Sequence, residues 1–151
     1  LILADGLAPS IDGVTLIQQY IRPVDGTITR AEFIGGRFHY AVKIDTSMGF
    51  ELCPADVCAV DGGPPAPSFT IIDDIDHGLK ARLERFLAMN GIEIAGIEFS
   101  TDADGIPYVY DVNTNTNYNA EAEAVAGRDA PRALVDFLIA ERNRIHGRLA
   151  A

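Results

Sequence analysis

The stretch GIEFSTDADGIPYVYDVNTNTNYN, residues Gly96–Asn119, has the pattern of a β-hairpin that ends in an asparagine-rich loop. The run Gly96–Ser100 is predicted as the outgoing strand, and Thr101–Gly105 is rich in the Asp and Gly that turns favour. The return strand Pro107–Asn113 is dense in Tyr and Val, which are common in strands. This hairpin is expected to supply two neighbouring strands of an antiparallel sheet.

Alternation along the two strands separates an apolar face from an acidic face. A symmetric turn predicts these opposed pairs: Ile97 with Val112, Phe99 with Tyr110, and Glu98 with Asp111. In that register Asn113 lies on the same face as Glu98 and Asp111. The hairpin therefore presents two carboxylates and one carboxamide on one side.

A cation would explain this acidic face. Directly opposed side chains lie about 4.5–5.5 Å apart at Cβ, and like charges at that distance are destabilising. A bound cation removes the penalty, and oxygen ligands of this kind suit Mg²⁺ or Mn²⁺. Glu98, Asp111 and Asn113 are therefore candidate metal ligands. A simple solvated hairpin face is the alternative that the spacing also allows.

A second hairpin is predicted upstream, where Ile28–Ile34 and Arg37–Ile44 are joined by Gly35-Gly36. Two glycines suit a two-residue turn because both positions tolerate a positive φ. The expected opposed pairs are Phe33 with Phe38, Ala31 with Tyr40, and Thr29 with Val42. The other face is then polar with a cationic bias, and it collects Arg30, Glu32, Arg37, His39 and Lys43. Solvent exposure is the plainer explanation of that face.

The remaining segments predict a strand, a loop and helices. Leu16–Ile21 is a short apolar run that reads on its own residues as a buried edge strand, and Met48–Phe69 is a Pro- and Gly-rich loop. A helix is expected over about His77–Asn90, after acidic capping residues. Its predicted buried stripe is Leu79, Leu83, Phe86 and Leu87.

Two further helical segments follow the acidic hairpin. Tyr118–Gly127 has a helix-forming composition, and a last helix runs from Pro131 to about Gly147. The apolar stripe of this last helix is Leu134, Phe137, Leu138 and Ile145. Together these elements indicate an α+β fold, in which two antiparallel hairpins form one sheet with helices on one face. The polar faces would share the open side, with Arg30 and Lys43 towards the carboxylates, a layout that suits a metal–nucleotide triphosphate.

Composition limits the classes of function. The chain has 151 residues, 48% of them hydrophobic, which is enough for one core. Its formal net charge of −10 argues against a broad nucleic-acid-binding face or an anionic-membrane partner. No apolar run reaches the roughly 20 residues that span a bilayer. Cys53 and Cys58 are too few for a structural zinc site without further ligands. Reduced thiols in a cytoplasmic protein are expected.

Three segments, in this order, resemble the C-terminal catalytic subdomain of ATP-grasp enzymes, closest to the RimK-like glutamate-ligase branch. The first, LIQQYI, resembles the hinge strand at the adenine edge. The second, TITRAEFIGGRFHYAVKI, resembles the hairpin whose early Arg approaches the phosphates. The third, GIEF…DGIPYVYDVNTN, resembles the acidic strands. The resemblance covers about Leu16 to Val125. It implies an ATP-dependent ligase that joins a carboxylate to an amine through an acyl-phosphate, with no covalent protein nucleophile.

The resemblance also implies roles by position. Glu98, Asp111 and Asn113 are implied as ligands of one or two Mg²⁺ ions that bridge the ATP phosphates. Arg30 is implied as the catalytic residue that steadies the phosphates and the acyl-phosphate. Lys43 is a further candidate for phosphate binding.

The nucleotide base and the substrates have implied contacts as well. Gln19, Tyr20 and Ile21 are implied to frame the adenine, Tyr20 and Ile21 through their main chains. Asn115 and the loop through Asn119 occupy the place where relatives bind the acceptor. The implied partners are ATP and a carboxylate–amine substrate pair, either an amino acid or a peptide.

The sequence departs from the family pattern at several places. Thr27-Ile-Thr-Arg30 replaces an Asp-x-Arg, and Thr114–Tyr118 replaces a Pro-Gly. No Gly-rich loop with a lysine precedes Leu16, so we expect residues 16–151 to be one subdomain of a longer enzyme, inactive alone, with residues 1–15 as a connector. The apolar surface left uncovered favours a homodimer. A non-catalytic nucleotide- or metal-binding module and a structural domain stabilised by zinc or another divalent cation are the alternatives.

Overall fold

The computed structural model describes residues 11–14, 17–46 and 69–149. In these ranges the elements are β1 (Thr27–Ile34), β2 (Arg37–Asp45), β3 (Phe69–Ile72), α1 (His77–Asn90), β4 (Ile94–Thr101), β5 (Pro107–Asn113), α2 (Ala120–Ala126) and α3 (Ala130–Leu149). The interpretations of residues 1–10, of the Cys53 and Cys58 pair and of the loop from Met48 to residue 68 lie outside the described residues.

The five strands form one antiparallel sheet in the order β3–β2–β1–β4–β5. The two predicted hairpins therefore lie side by side, joined through β1 and β4. The predicted α+β fold with an antiparallel sheet is confirmed. The edge strand β3 is an addition, since the sequence pattern assigned Phe69 to the loop before it.

Helix α1 covers one face of the sheet and has the predicted bounds, His77–Asn90. It begins where the Asp76 carboxylate accepts a hydrogen bond from the Leu79 amide at 2.7 Å, and it ends at Gly91, which has a φ of 65°. Three leucines one turn apart, Leu79, Leu83 and Leu87, pack on the sheet. Phe86 lies to the side of this stripe and is 42% exposed, so the prediction that it is buried is wrong.

The opposite face is partly covered as well. Ala130, the first residue of α3, packs on a cluster from β1 and β2 that contains Ile28, Tyr40, Val42 and Ile44. The helices therefore lie on both faces of the sheet rather than on one. The physical reason is that β1 and β2 carry buried apolar residues on both faces, and each face needs a cover.

Helix α3 leaves most of its apolar side chains exposed. Leu134 and Phe137 of its predicted stripe are half-buried, but Leu138 and Ile145 are each 51% exposed, so the predicted buried stripe is wrong at these two positions. The inner side of the helix packs over the β1–β2 turn, where a Cβ on Gly35 would come within 3.0 Å of the Phe137 ring. None of the described helices is long and apolar enough to cross a membrane.

A β-bulge in the first hairpin changes which side chains share a face. Phe33 pairs with Phe38 as predicted, but Glu32 pairs with Tyr40, which leaves His39 as the extra residue. Beyond the bulge the predicted partners are therefore wrong by one position. The observed pairs are Ala31 with Ala41, Arg30 with Val42, and Thr29 with Lys43.

The second hairpin contains a bulge at the acidic pair. The predicted pairs Ile97 with Val112 and Glu98 with Asp111 are confirmed. Phe99 instead pairs with Val109, because Tyr110 is an extra residue on β5. The bulge turns Tyr110 away from Val112 and onto the face that carries Glu98, where it packs against the Tyr40 cluster.

Candidate functional site

The candidate site lies on the sheet face opposite α1, where β1, β4 and β5 bring charged side chains together. Arg30 is directly opposite Glu98 in the β1–β4 ladder, and Glu98 is directly opposite Asp111 in the β4–β5 ladder. Asn113 is opposite Gly96, so it lies on the same face one step further along β5. The strands thus form a row of one cation and two carboxylates, flanked by a carboxamide.

Arg30 is buried at 8% exposure and is held at two of its nitrogens. Its Nε donates to Glu32 Oε1 at 2.7 Å, and its Nη2 donates to the Asn117 carbonyl oxygen at 2.7 Å. Nη1 has no hydrogen-bond partner among the described residues. The guanidinium is therefore fixed in one orientation and retains one nitrogen for an anionic ligand.

Glu32 is fully buried, with 0% exposure. Its Oε2 accepts a hydrogen bond from Thr116 Oγ1 at 2.8 Å, while Oε1 faces Arg30. Burial raises the pKa of Glu32, and the neighbouring Arg30 charge and the two hydrogen bonds only partly oppose that rise. The sequence prediction put Glu32 on the polar face but gave it no role.

Glu98 is also buried, at 6% exposure. Burial raises its pKa. The neighbouring Tyr110 hydroxyl and the Arg30 charge lower it, and the Asp111 and Glu32 charges raise it further. A buried carboxylate beside a second carboxylate is a favourable place for a cation, because the cation offsets both burial and repulsion.

The donor set fits a hard divalent cation such as Mg²⁺. Glu98 and Asp111 offer carboxylate oxygens, and Asn113 offers a carboxamide oxygen that already accepts the Asn115 amide at 2.8 Å and keeps a second lone pair. In the described ranges no group of three or more His, Cys, Asp or Glu side chains could hold a metal ion. A metal at this face therefore depends on the carboxamide and on oxygens from a ligand or water.

Lys43 lies away from this row, on the α1 face. It is opposite Thr29, whereas Arg30 is opposite Val42, so the predicted cationic face shared by Arg30 and Lys43 is wrong. The bulge at His39 is the cause, because it shifts every later residue of β2 to the other face. The Lys43 ammonium instead lies 2.9 Å from Asp25 Oδ2.

The predicted hinge segment, Ile17–Ile21, is irregular rather than a strand. Ile17 is 75% exposed and Tyr20 is 51% exposed, so the prediction of a buried edge strand is wrong here, and Leu16 lies outside the described residues. No described strand pairs with the segment, although Ser100 Oγ donates to the Ile21 carbonyl at 3.3 Å. This contact places Ile21 near the end of β4, two residues from Glu98, and Gln19 is exposed.

The loop from Thr114 to Asn119 is tied to the site by the Thr116 hydroxyl and the Asn117 carbonyl. Asn115 is exposed. At the end of the loop, Asn119 caps α2 by accepting the Ala122 amide at 2.8 Å. Thr116 and Asn117 are site residues that the sequence pattern did not single out, because their partners are more than 80 residues away.

Glu123 on α2, the helix that follows this loop, links that helix to its neighbours. The buried carboxylate accepts the Tyr40 hydroxyl at 3.0 Å and the Ala130 amide at 2.6 Å. It thereby joins α2, the start of α3 and strand β2. The sequence pattern presented it only as part of a helix-forming run.

Solved structures of one ligase share this fold. The chain matches the ATP-grasp ligase PsnB complexed with minimal precursor at a TM-score of 0.59 and 22% identity, over 78% of this chain and 34% of that chain. It matches PsnB complexed with a phosphomimetic variant of minimal precursor, Mg and ADP at a TM-score of 0.56 and 20% identity, over 78% and 32%. The fold is that of part of an ATP-grasp ligase.

A third PsnB structure, complexed with precursor peptide PsnA2 and AMPPNP, matches the ATP-grasp fold of this chain at a TM-score of 0.54 and 21% identity, over 76% of this chain and 32% of that chain. The chain thus spans about a third of the length of the ATP-grasp ligases that it matches. No protein-family model and no curated protein sequence matches it.

Proposed function

We propose that this chain is the metal- and nucleotide-binding part of an ATP-dependent ligase that joins a carboxylate to an amine through an acyl-phosphate. The observation that carries the proposal is the row Arg30–Glu98–Asp111 on one face of an ATP-grasp sheet, with Asn113 beside it. Such a row offers a cation for phosphate oxygens next to oxygen ligands for the metal that accompanies ATP. The RimK-like branch, which the sequence resembles, is the branch that we propose.

Each side chain has a part in this chemistry. Glu98, Asp111 and Asn113 would hold Mg²⁺ (or Mn²⁺), which when bound neutralises negative charge on the ATP phosphates. Arg30 stabilises charge on the transferred phosphoryl group through its remaining nitrogen, Nη1. Because its orientation is fixed before ligand binds, little reorganisation is needed when that charge develops.

The nucleotide base would lie beside Ile17–Ile21. We propose that the main chains of Tyr20 and Ile21 and the side chain of Gln19 frame the adenine. The support is the contact between Ile21 and Ser100, which brings the segment to the end of β4 close to Glu98. Lys43 has no part in the proposed site because it lies on the other face.

The acceptor would bind against the loop from Thr114 to Asn119, with Asn115 as a contact. We propose an amino acid or a peptide as substrate, in the cytoplasm. The PsnB structures are complexed with precursor peptides, which supports a peptide among these choices. The chain holds about a third of the length of that ligase, so we expect catalysis only in the full-length protein.

The test is isothermal titration of AMPPNP into the full-length protein, with and without Mg²⁺, together with an assay of ATP turnover. Glu98→Ala combined with Asp111→Ala should abolish the Mg²⁺-dependent part of binding and the turnover. Asp104→Ala, in the exposed turn of the same hairpin, is the matched control and should leave both unchanged. Turnover that survives the double substitution would overturn the metal assignment. Nucleotide binding without any turnover would identify a non-catalytic module instead.

A further inference from the structure

We infer that Glu32 is a positioning residue that fixes Arg30 and the acceptor loop, Thr114–Asn119, to each other. The inference rests on the proposed function, because it concerns how the phosphate and acceptor parts of that site are coupled. Glu32 itself is fully buried and acts only through the side chains that it holds.

A carboxylate at this position is costly for stability alone. Glu32 lies on β1, a central strand of the sheet, with 0% exposure. Burying a charge carries a large desolvation penalty, and replacing a buried ion pair by apolar residues is often neutral or stabilising. An aliphatic residue would serve the core at least as well. The carboxylate is therefore better explained by the geometry that it imposes.

That geometry is a closed circuit of hydrogen bonds. Oε1 of Glu32 accepts from Arg30 Nε at 2.7 Å, and Oε2 accepts from Thr116 Oγ1 at 2.8 Å. The circuit closes where Arg30 Nη2 donates to the carbonyl of Asn117, the residue after Thr116, at 2.7 Å. Both the plane of the guanidinium and the position of the loop are set by the same carboxylate.

Gly96 gives independent support, because it makes room for the circuit. It lies directly opposite Glu32 on β4. A Cβ at Gly96 would meet Thr116 Oγ1 at 2.9 Å, Glu32 Oε2 at 3.2 Å and Arg30 Cδ at 3.3 Å. Its backbone does not have a positive φ, so the glycine is required by this close approach and not by a turn.

The consequence is reciprocal coupling between the two parts of the site. A movement of the loop that separates Thr116 from Glu32 also removes one constraint on Arg30. Binding of an acceptor that holds the loop in place should therefore favour the Arg30 orientation that binds phosphate, and nucleotide should favour acceptor binding by the same factor.

The experiment uses the full-length protein with Glu32→Gln, Thr116→Val and the double variant. Gln keeps the shape but offers one acceptor oxygen in place of two, and Val removes only the hydroxyl. Each single variant should lower kcat about 10- to 100-fold, as expected for misplacement of a catalytic group, and raise the KM of the acceptor more than the KM of ATP. The kcat of the double variant should be no lower than that of the less active single variant, because both substitutions break the same circuit of hydrogen bonds.

Controls separate the loss of this hydrogen bond from a general loss of folding. Thr116→Ser keeps the hydroxyl and should restore activity to within about twofold, a small change on the scale of catalytic effects. Glu93→Gln and Thr70→Val, both at exposed positions, make the same chemical changes elsewhere and should have no effect. Losses that multiply in the double variant, or a Thr116→Val variant with normal kinetics, would overturn the inference.

A spectroscopic measurement tests the circuit without turnover. The Nε–H resonance of Arg30 should be protected from solvent exchange, and Thr116→Val should shift it and speed its exchange although Thr116 does not touch that atom. An unchanged resonance would refute the coupling even if Glu98→Ala with Asp111→Ala abolishes turnover and so supports the proposed function. Coupling without any nucleotide binding would instead refute the proposed function and with it the role assigned to Glu32.

Discussion

Arg30 on β1 lies directly opposite Glu98 on β4, and both side chains are buried on the same face of the sheet. Burial raises the pKa of Glu98, while the Arg30 charge is among the influences that lower it. The two residues come from different hairpins and are 68 positions apart in the chain. Their pairing therefore depends on the β1–β4 contact, which joins the phosphate side of the proposed site to its metal side.

Arg30 and Lys43 should differ sharply in their effect on activity. Arg30→Ala removes a fixed cation from the proposed phosphate site and should lower kcat by about 10²- to 10³-fold. Lys43→Met should change kcat by less than about threefold, since Lys43 lies on the face of the sheet opposite to the proposed phosphate site. Steady-state ATP turnover in the full-length protein measures both. Equal losses would show that the two side chains meet in the complex.

Metal removal should weaken stabilisation by nucleotide. At AMPPNP concentrations 100-fold above its Kd, Mg²⁺ with the nucleotide should add about 2.7 kcal/mol to the free energy of unfolding, and EDTA should remove most of this gain. Asp111→Asn should abolish the response to Mg²⁺, and Asp104→Asn should keep it. Thermal denaturation with and without EDTA measures the effect. A melting temperature that rises with Mg²⁺ alone would favour a metal-stabilised structural domain.

The Asp25–Lys43 ion pair should make the stability of the protein depend on pH in the acidic range. Burial raises the pKa of Asp25, but hydrogen bonds from Lys43 and Thr27 outweigh it and lower the pKa from 3.8 to about 2. The folded protein thus binds fewer protons at Asp25 than the unfolded chain, so the contribution is complete above pH 3.8 and is lost as the pH falls through about 2.

Because both side chains are nearly half exposed, Asp25→Asn should cost less than about 1 kcal/mol at pH 7 and progressively less towards pH 2. Urea unfolding at pH 7, 4 and 2 measures this difference. Asp104→Asn is the control. A difference that stays constant over this range would mean that Asp25 acts by packing rather than by charge.

Glu123 should be important for stability rather than for chemistry. Glu123→Ala leaves the Tyr40 hydroxyl and the Ala130 amide without their acceptor, at a cost of about 1–3 kcal/mol for each buried group. Glu121→Ala, on the exposed side of the same helix, should change stability by less than about 0.5 kcal/mol. Chemical denaturation compares the two. Equal stability of both variants would show that water replaces the lost acceptor.

The exposed apolar side chains of α3 should cause self-association of this chain on its own. Val135, Leu138, Ile139 and Ile145 are 44–51% exposed, and a surface of this kind favours association. Light scattering at high concentration should show a dimer, and Leu138→Glu with Ile139→Glu should return it to a monomer. Asp136→Lys, at an exposed position on another side of the same helix, should leave the dimer intact. A monomer at all concentrations would contradict this expectation.

Local signals were sufficient to predict much of the fold. Helix α1 has a capping Asp76 and a terminal Gly91, and its bounds were predicted correctly. The Gly35-Gly36 turn and the Asp104-Gly105 turn fixed two hairpins, and the Glu98–Asp111 pair followed from the second. In each case the deciding residues lie within a few positions of the feature, where backbone preferences act directly.

The rest depends on contacts that sequence periodicity does not carry. His39 and Tyr110 suit a regular strand as well as a bulge, so the pattern gave no sign of the extra residue that moved Lys43 to the other face. The bond between Glu32 and Thr116 joins residues 84 positions apart. The bulges and the bond between Glu32 and Thr116 both depend on contacts that exist only in the folded sheet.

The bulges should also make each hairpin more tolerant of a deletion than of an insertion. A hairpin with one extra residue can lose a residue near the bulge and return to a regular ladder with its distant pairs unchanged, whereas an added residue must form a second irregularity. Single-residue deletions near His39 should therefore be tolerated better than insertions. In β5 the extra residue is Tyr110 itself. A deletion there would keep Glu98 opposite Asp111 but would remove the Tyr110 hydroxyl, which lowers the pKa of Glu98.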